Sequence, residues 1–172
     1  AALRVGLAGK GRAEGGRAGY RLVGLVDRGD ADGGTPALAA YPMGKGSGSV
    51  TTFSRADGFI TIGRHDEMLE RDAVVDVQLL GRDLKPADLV VIGSHCVGLD
   101  DLVGRLEAAG MTTKFLAVGS TGGLQAAQAG ECDLAGIHLL DVATGIYNRP
   151  FLTDDVAWIP GYGGMQIGRA HV

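Results

Sequence analysis

The sequence predicts a mixed fold: a small β-barrel or sandwich first, then an α/β domain built on a parallel sheet. Three observations carry this reading. Before about residue 85 the apolar residues come in short runs separated by glycine-rich turns, as in small all-β domains. After about residue 86 the pattern becomes strand, helix, strand, helix, strand, the rhythm of a parallel sheet with crossover helices. Between the two lies GRDLKPAD, a polar segment containing a proline. Residues 1–85 and 86–166 are therefore read as two domains, with 167–172 as a tail.

In the first domain YRLVGLV (Tyr20 to Val26) reads as a strand, and DRGDADGGTP after it as a turn-rich loop. GFITIG (Gly58 to Gly63) is the next strand. AVVDVQLLG (Ala73 to Gly81) alternates apolar and polar residues, as a half-buried strand does. The opening GLAGKGRAEGGRAG reads as a mobile lead-in or a truncated edge. In the second domain ADLVVIG is a compact buried strand. Leu99, Leu102, Val103 and Leu106 then recur at helical spacing, and Gly110 stands where a helix commonly ends in glycine. KFLAVG is the next strand, GGLQAAQAG the next helix, and CDLAGIHLLD holds a third strand.

Composition narrows the function classes. The chain has 172 residues, 45% of them hydrophobic, enough for ordinary cores. A net charge of −4 gives no electrostatic reason to expect nucleic acid or an anionic membrane as partner. No apolar run approaches the roughly 20 residues of a membrane span, and the N-terminus lacks a signal-peptide pattern. Cys96 and Cys132 form no disulfide framework and no close metal-type spacing, so reduced thiols and a cytoplasmic location are expected.

Two strand ends attract attention. Leu89 to Ile92 run into Gly93 and Ser94; the later apolar run stops at Gly119, followed by Ser120, Thr121, Gly122 and Gly123. In an open α/β sheet ligands lie beyond the carboxyl ends of the strands, where a helix start offers free N–H groups. Hydroxyls there, with glycines permitting close approach, suit an oxyanion. Plain helix capping by Ser94 and Ser120 is the other reading, since serine commonly caps helices. GKGSGS (Gly44 to Ser49) is not a Walker loop, because Lys45 is followed by Gly46 and a strand comes next. It reads as a flexible turn or, with Lys45, Ser47, Arg55 and Asp57, as a polar patch. His95, Cys96, Cys132 and His138 have zinc-type side chains but no CxxC knuckle, so small buried thiols are expected and no metal site. Asp141, Tyr147 and Asn148 follow the third strand and either face the same cleft or form turns.

YPMGKGSGSVTTFSRADGFITIG, with EMLERDAVVDVQLL after it, resembles the C-terminal domain of the molybdopterin molybdenumtransferase family, which includes bacterial MoeA-type proteins and the E domain of gephyrin. The resemblance implies a β-barrel bordering the active-site cleft of a homodimer, lined here by Lys45, Ser47, Arg55 and Asp57. It places no catalytic residue in this chain, because the nucleotide and metal chemistry belongs to a preceding domain. The second half is similar to a periplasmic-binding-protein-like domain. GSHCVGLDDL, GSTGGLQA and CDLAGIHLLDVATGIYNRP match its order of motifs, with Cys96 where an Asp is commoner. Relatives of that fold bind molybdate and tungstate through hydroxyls and helix N-termini, which implies an oxyanion site at Ser94, Ser120, Thr121, Gly122 and Tyr147. Such folds have two lobes, so residues 86–166 are expected to be a first lobe, truncated. IGRAHV (Ile167 to Val172) reads like a translated sequencing adapter and is expected to be a non-native tail.

Together these imply a fragment of a molybdenum-cofactor biosynthesis protein, without turnover of its own. The parent would be a molybdopterin molybdenumtransferase inserting molybdate into adenylylated molybdopterin (molybdopterin-AMP), with molybdopterin and Mg2+ as its cofactors. The appended lobe would bind or sense molybdate or tungstate. The alternatives are a ligand-sensing module of a transcription regulator and a non-catalytic dimerisation scaffold.

Overall fold

The computed structural model describes residues 2–9, 11–12, 19–28, 37–43, 56–63, 68–81 and 87–159. In the first half, β1 (Ala2–Leu7), β3 (Gly19–Asp27), β4 (Leu38–Pro42), β5 (Gly58–Ile62) and β7 (Val74–Leu79) close into a barrel of order β1-β4-β3-β5-β7. The short β2 (Gly11–Arg12) and β6 (Met68–Leu69) pair beside it. Closure leaves no open sheet edge in the barrel. Val5, Leu7, Val23, Leu25, Ala40, Ile60, Ile62 and Val77 fill its interior.

Of the segment expected to be a lead-in or truncated edge, Gly6 and Leu7 end β1, Gly11 and Arg12 form β2 and Gly19 opens β3, while residues 10 and 13–18 lie outside the described residues. β1 pairs antiparallel with β7 and parallel with β4, and Val5 and Leu7 are wholly buried. The physical reason is the period-two set Leu3, Val5 and Leu7, which puts three apolar side chains on one face. The strands expected at Tyr20, Gly58 and Ala73 are present as β3, β5 and β7. β4 went unread because LAAYP, with its two alanines, carries a weak apolar signal.

The second half follows the expected order: β8 (Leu89–Gly93), α1 (Val97–Ala108), β9 (Thr113–Ala117), α2 (Gly119–Gln128) and β10 (Leu134–Gly136). The three strands are parallel, in the order β10-β8-β9. Gly110 follows the helix end at a φ of 97°, a conformation open to glycine and costly for other residues. From β8 the chain moves to β9, then returns across β8 to β10. Right-handed crossovers in opposite directions put α1 and α2 on opposite faces. α2 lies close on the sheet: a Cβ added at Gly123 would stand 2.6 Å from Gly93 Cα.

The two halves share a core. Ala8, Val26, Ala39 and Tyr41 of the barrel side pack with Ile92, Leu116 and Ala126 of the α/β unit. α2 crosses over β8 to β10, and the outer face of β3 packs beside it against β9. The approach is close enough that a Cβ on Gly24 would meet Leu116 Cδ2 at 2.6 Å. Two polar clusters flank this apolar contact. In one, Lys114 Nζ on β9 donates to Asp57 Oδ2 and to the Leu25 carbonyl, while Leu25 N–H donates to the same carboxylate at 2.6 Å. In the other, Glu131 is 2% exposed, accepts from the Tyr41 hydroxyl and pairs with Arg28 Nε at 2.6 Å. The Arg28 Nε–H makes no aligned hydrogen bond, so that contact is an ion pair only. Burial, followed by the hydrogen bond to Glu131, holds the Tyr41 phenol protonated far above its usual range. No helix among the described residues is long and apolar enough to cross a membrane.

Candidate functional site

The loops leaving β8 and β9 turn to opposite faces of the sheet, so the carboxyl ends of these neighbouring strands form the topological switch point where α/β sheets take ligands. Ser94 follows β8 there, and Ser120 lies in the first turn of α2. Their hydroxyls meet: Ser120 Oγ lies 3.1 Å from Ser94 Oγ. The segment after β10 completes the cluster. His138 N–H donates to Ser120 Oγ at 3.0 Å, and His138 Nδ1 stands 3.1 Å from the same oxygen. Three residues from three strand ends thus share one hydrogen-bonded chain. His138 is the member that sequence reasoning missed as a partner, having weighed it only as a metal ligand. The signal was its place after the third strand, in the same cleft assigned to Asp141 and Tyr147.

The members differ in access. Ser120 is 9% exposed, Ser94 is half-buried, and His138 is exposed. A hydroxyl has one proton and two lone pairs, so three partners fill the capacity of Ser120. Ser94 and the backbone at the head of α2 are the more accessible polar groups. Gly119, at a φ of 81°, has open space where a side chain would stand.

Neither serine is a helix cap. α1 begins at Val97, and its cap is Cys96, whose Sγ accepts from Leu99 N at 3.4 Å. Ser94 precedes the helix, and its N–H is committed to the Gly136 carbonyl at 2.7 Å, which holds that backbone as a continuation of β8. This corrects the placement of Ser94 at the first helix start. At α2 the cap position is Val118, which has no side-chain cap bond, and Ser120 points to His138 and Ser94 instead. Of the two glycines after Thr121, Gly123 is required by backbone packing on β8.

Thr121 is exposed in the first turn of α2, and Gly122 follows it, half-buried. Tyr147 stands apart from the serine hydrogen bonds: it is 56% exposed and bridges Leu140 across a turn. Asp141 and Asn148 do turn chemistry. Asp141 accepts from Thr144 Oγ1 and Ala143 N, which lowers its pKa, and Asn148 Oδ1 accepts from Leu139 N at 2.7 Å. Asp57 lies under Lys114, as described above. Lys45, Ser47, Arg55 and the tail at 167–172 lie outside the described residues. His95 pairs with Asp100 at 2.9 Å on the surface. Cys96 and Cys132 are both of intermediate burial, and neither is in a disulfide. Burial pushes the Cys132 thiol up to about 11. Among the described residues no three His, Cys, Asp or Glu side chains gather as a metal site.

Comparison with known proteins gives two matches, one in each half of the chain. The family described as the MoeA C-terminal region (domain IV) matches residues 4–80, and the PBP superfamily domain matches residues 103–163. No curated protein matches. Among solved structures, one of the molybdopterin biosynthesis MoeA protein from Pyrococcus horikoshii OT3 is 18% identical, at a TM-score of 0.36, over 46% of this chain and 18% of that one. Another, also titled a molybdopterin biosynthesis MoeA protein, from Pyrococcus horikosii, is 30% identical, at a TM-score of 0.34, over 46% and 17%. The chain thus spans less than a fifth of either structure. Its sequence thus joins a segment similar to the MoeA C-terminal region to a segment similar to the PBP superfamily domain.

Proposed function

We propose that this chain serves molybdenum-cofactor biosynthesis, as part of a protein that inserts molybdate into adenylylated molybdopterin. The barrel forms one wall of the insertion cleft, with Lys45, Ser47 and Arg55 along it, whereas the Asp57 carboxylate is committed to Lys114 and the Leu25 N–H at the junction. The α/β unit binds or senses the oxyanion, molybdate or tungstate, at the carboxyl ends of β8 and β9. The observation that carries the reading is the tandem match, a MoeA C-terminal region followed by a PBP superfamily domain in one chain. The barrel ahead of the α/β unit speaks against a regulator's sensing module, which calls for a DNA-binding segment there. The polar groups at the switch point support an oxyanion over a cation, since Ser94 and the backbone N–H groups at the head of α2 supply hydrogen-bond donors and no carboxylate.

Calorimetry with molybdate, sulfate and phosphate tests the reading. Molybdate is expected to bind most tightly, and Ser94→Ala to weaken it by about tenfold to a hundredfold, because a hydrogen bond to a charged group is worth roughly 1.5–3 kcal/mol. If none of the three anions binds, the oxyanion role is lost.

A further inference from the structure

The chain of hydroxyls between an exposed imidazole and a half-buried serine has a direction, and the direction depends on one proton. We propose that His138 is a positioning residue that sets, through Ser120, whether Ser94 presents a proton or lone pairs to the ligand. The inference rests on the oxyanion reading above and assigns a new residue to that site.

Ser120 Oγ always accepts from the His138 backbone N–H. One lone pair and one proton remain for two partners, His138 Nδ1 and Ser94 Oγ. When Nδ1 carries hydrogen it donates to Ser120, and Ser120 donates its own proton to Ser94. Ser94 then accepts inward and turns its proton outward, toward an anion. When Nδ1 is bare, Ser120 donates to it and accepts from Ser94. The Ser94 proton is then used inward and only lone pairs face the ligand, which repels an anion. A doubly protonated imidazole has hydrogen on Nδ1 in every case, whereas the neutral ring has it in one tautomer only. Protonation of His138 therefore selects the anion-accepting arrangement and adds a positive charge nearby.

Few charged groups surround the relay. α2 carries no ionisable side chain from Gly119 to Gln128. On the β8–α1 segment His95 is paired with Asp100. On the hairpin that follows His138, Asp141 is held by Thr144 and Ala143, and Arg149 is the charged residue beyond it.

The test is molybdate affinity between pH 6.5 and 8.5, compared across the wild-type protein, His138→Ala and His138→Asn. Wild-type affinity is expected to fall by about tenfold as the imidazole loses its proton, the scale of one charged hydrogen bond. His138→Ala loses that pH dependence. His138→Asn keeps affinity at the high end, because an amide can donate from the Nδ1 position without titrating. Comparing variants cancels any protonation of molybdate itself. Nitrogen NMR of His138 gives an independent reading, since molybdate must raise the imidazole's titration midpoint by reciprocal linkage. The same pH profile in wild type and His138→Ala, or no shift of the midpoint, overturns the role of His138 and leaves the oxyanion reading standing. A wild-type protein that binds no molybdate at any pH overturns both.

Discussion

Strands β7 and β3 belong to the same barrel and are composed differently. β7, VVDVQL, alternates: Val77 is buried inside, while Val74, Asp76 and Gln78 face water, and Asp76 pairs with Arg4 on the outer surface. β3 contains VGLV without a polar break. Val23 and Leu25 point into the barrel, while Val26 on the other face packs into the core shared with the α/β unit, beside Gly24 against Leu116. A strand buried on both faces needs no polar alternation, and its sequence loses the period of two. The unbroken run marks the side of the barrel that carries the second unit. The junction is thus a core in its own right.

The largest test of that difference is Glu131→Ala. The carboxylate is 2% exposed and the Arg28 side chain 11%, so the substitution leaves the Tyr41 hydroxyl without its partner and the Arg28 guanidinium with only the longer contact from Nη2 to the exposed Asp72 at 3.4 Å. Breaking a buried pair from one side costs about 3–5 kcal/mol. Denaturant unfolding should show a loss of that size, with barrel and α/β unit melting in one transition. A loss under about 1 kcal/mol would mean that the network is solvated and the halves merely touch.

Much of this architecture was legible, and what was not has identifiable causes. Apolar runs and periodicity located β3, β5, β7, β8, β9 and α1, while α2 and β10, with one leucine each, followed from the alternation of strand and helix. β4 was missed because alanine gives little signal, and β1 because its period of two lies among glycines. The site was half legible. Strand ends and hydroxyls pointed to Ser94 and Ser120 as neighbours, which a hydrogen bond joins. Helix starts were misjudged by a few residues, because Cys96 does the capping usually left to oxygen side chains. His138 lay hidden because its contacts depend on how the segment after β10 returns over α2, a tertiary fact. Asp57 has a comparable history. Nothing in RADG reveals that its carboxylate meets a lysine 57 positions later.

A matched pair of substitutions sharpens the comparison at smaller cost. Val26 and Val74 both point away from the barrel interior, but Val26 is 3% exposed and Val74 is 58% exposed. Threonine keeps the shape and the β-branch and adds one hydroxyl. At Val26 that hydroxyl enters an apolar junction among Ile92, Leu116 and Ala126, at an expected loss of about 1–3 kcal/mol. At Val74 it meets water, and the change should stay within about 0.5 kcal/mol. Equal effects at the two positions, measured by chemical denaturation, would remove the distinction between the two sides.

The smallest expected effect is at Asp88, where the chain enters the α/β unit. Its carboxylate accepts from Thr112 N–H at 2.8 Å and from the Thr112 hydroxyl at 2.7 Å. These bonds favour the charged form and lower its pKa, the backbone bond most. The unfolded chain, with an ordinary aspartate near about 3.9, therefore takes up its proton first as pH falls. The stabilisation is complete above that value and is lost as pH falls through the lower folded value. Unlike Glu131, Asp88 is fully exposed, so water competes for both bonds and the contribution is weak. Asp88→Asn should leave stability at pH 7 nearly unchanged and flatten its fall below about pH 4. Acid titrations followed by circular dichroism on wild type and variant would show it. Identical acid limbs would mean that Thr112 gives the carboxylate no more in the folded protein than water does in the unfolded one.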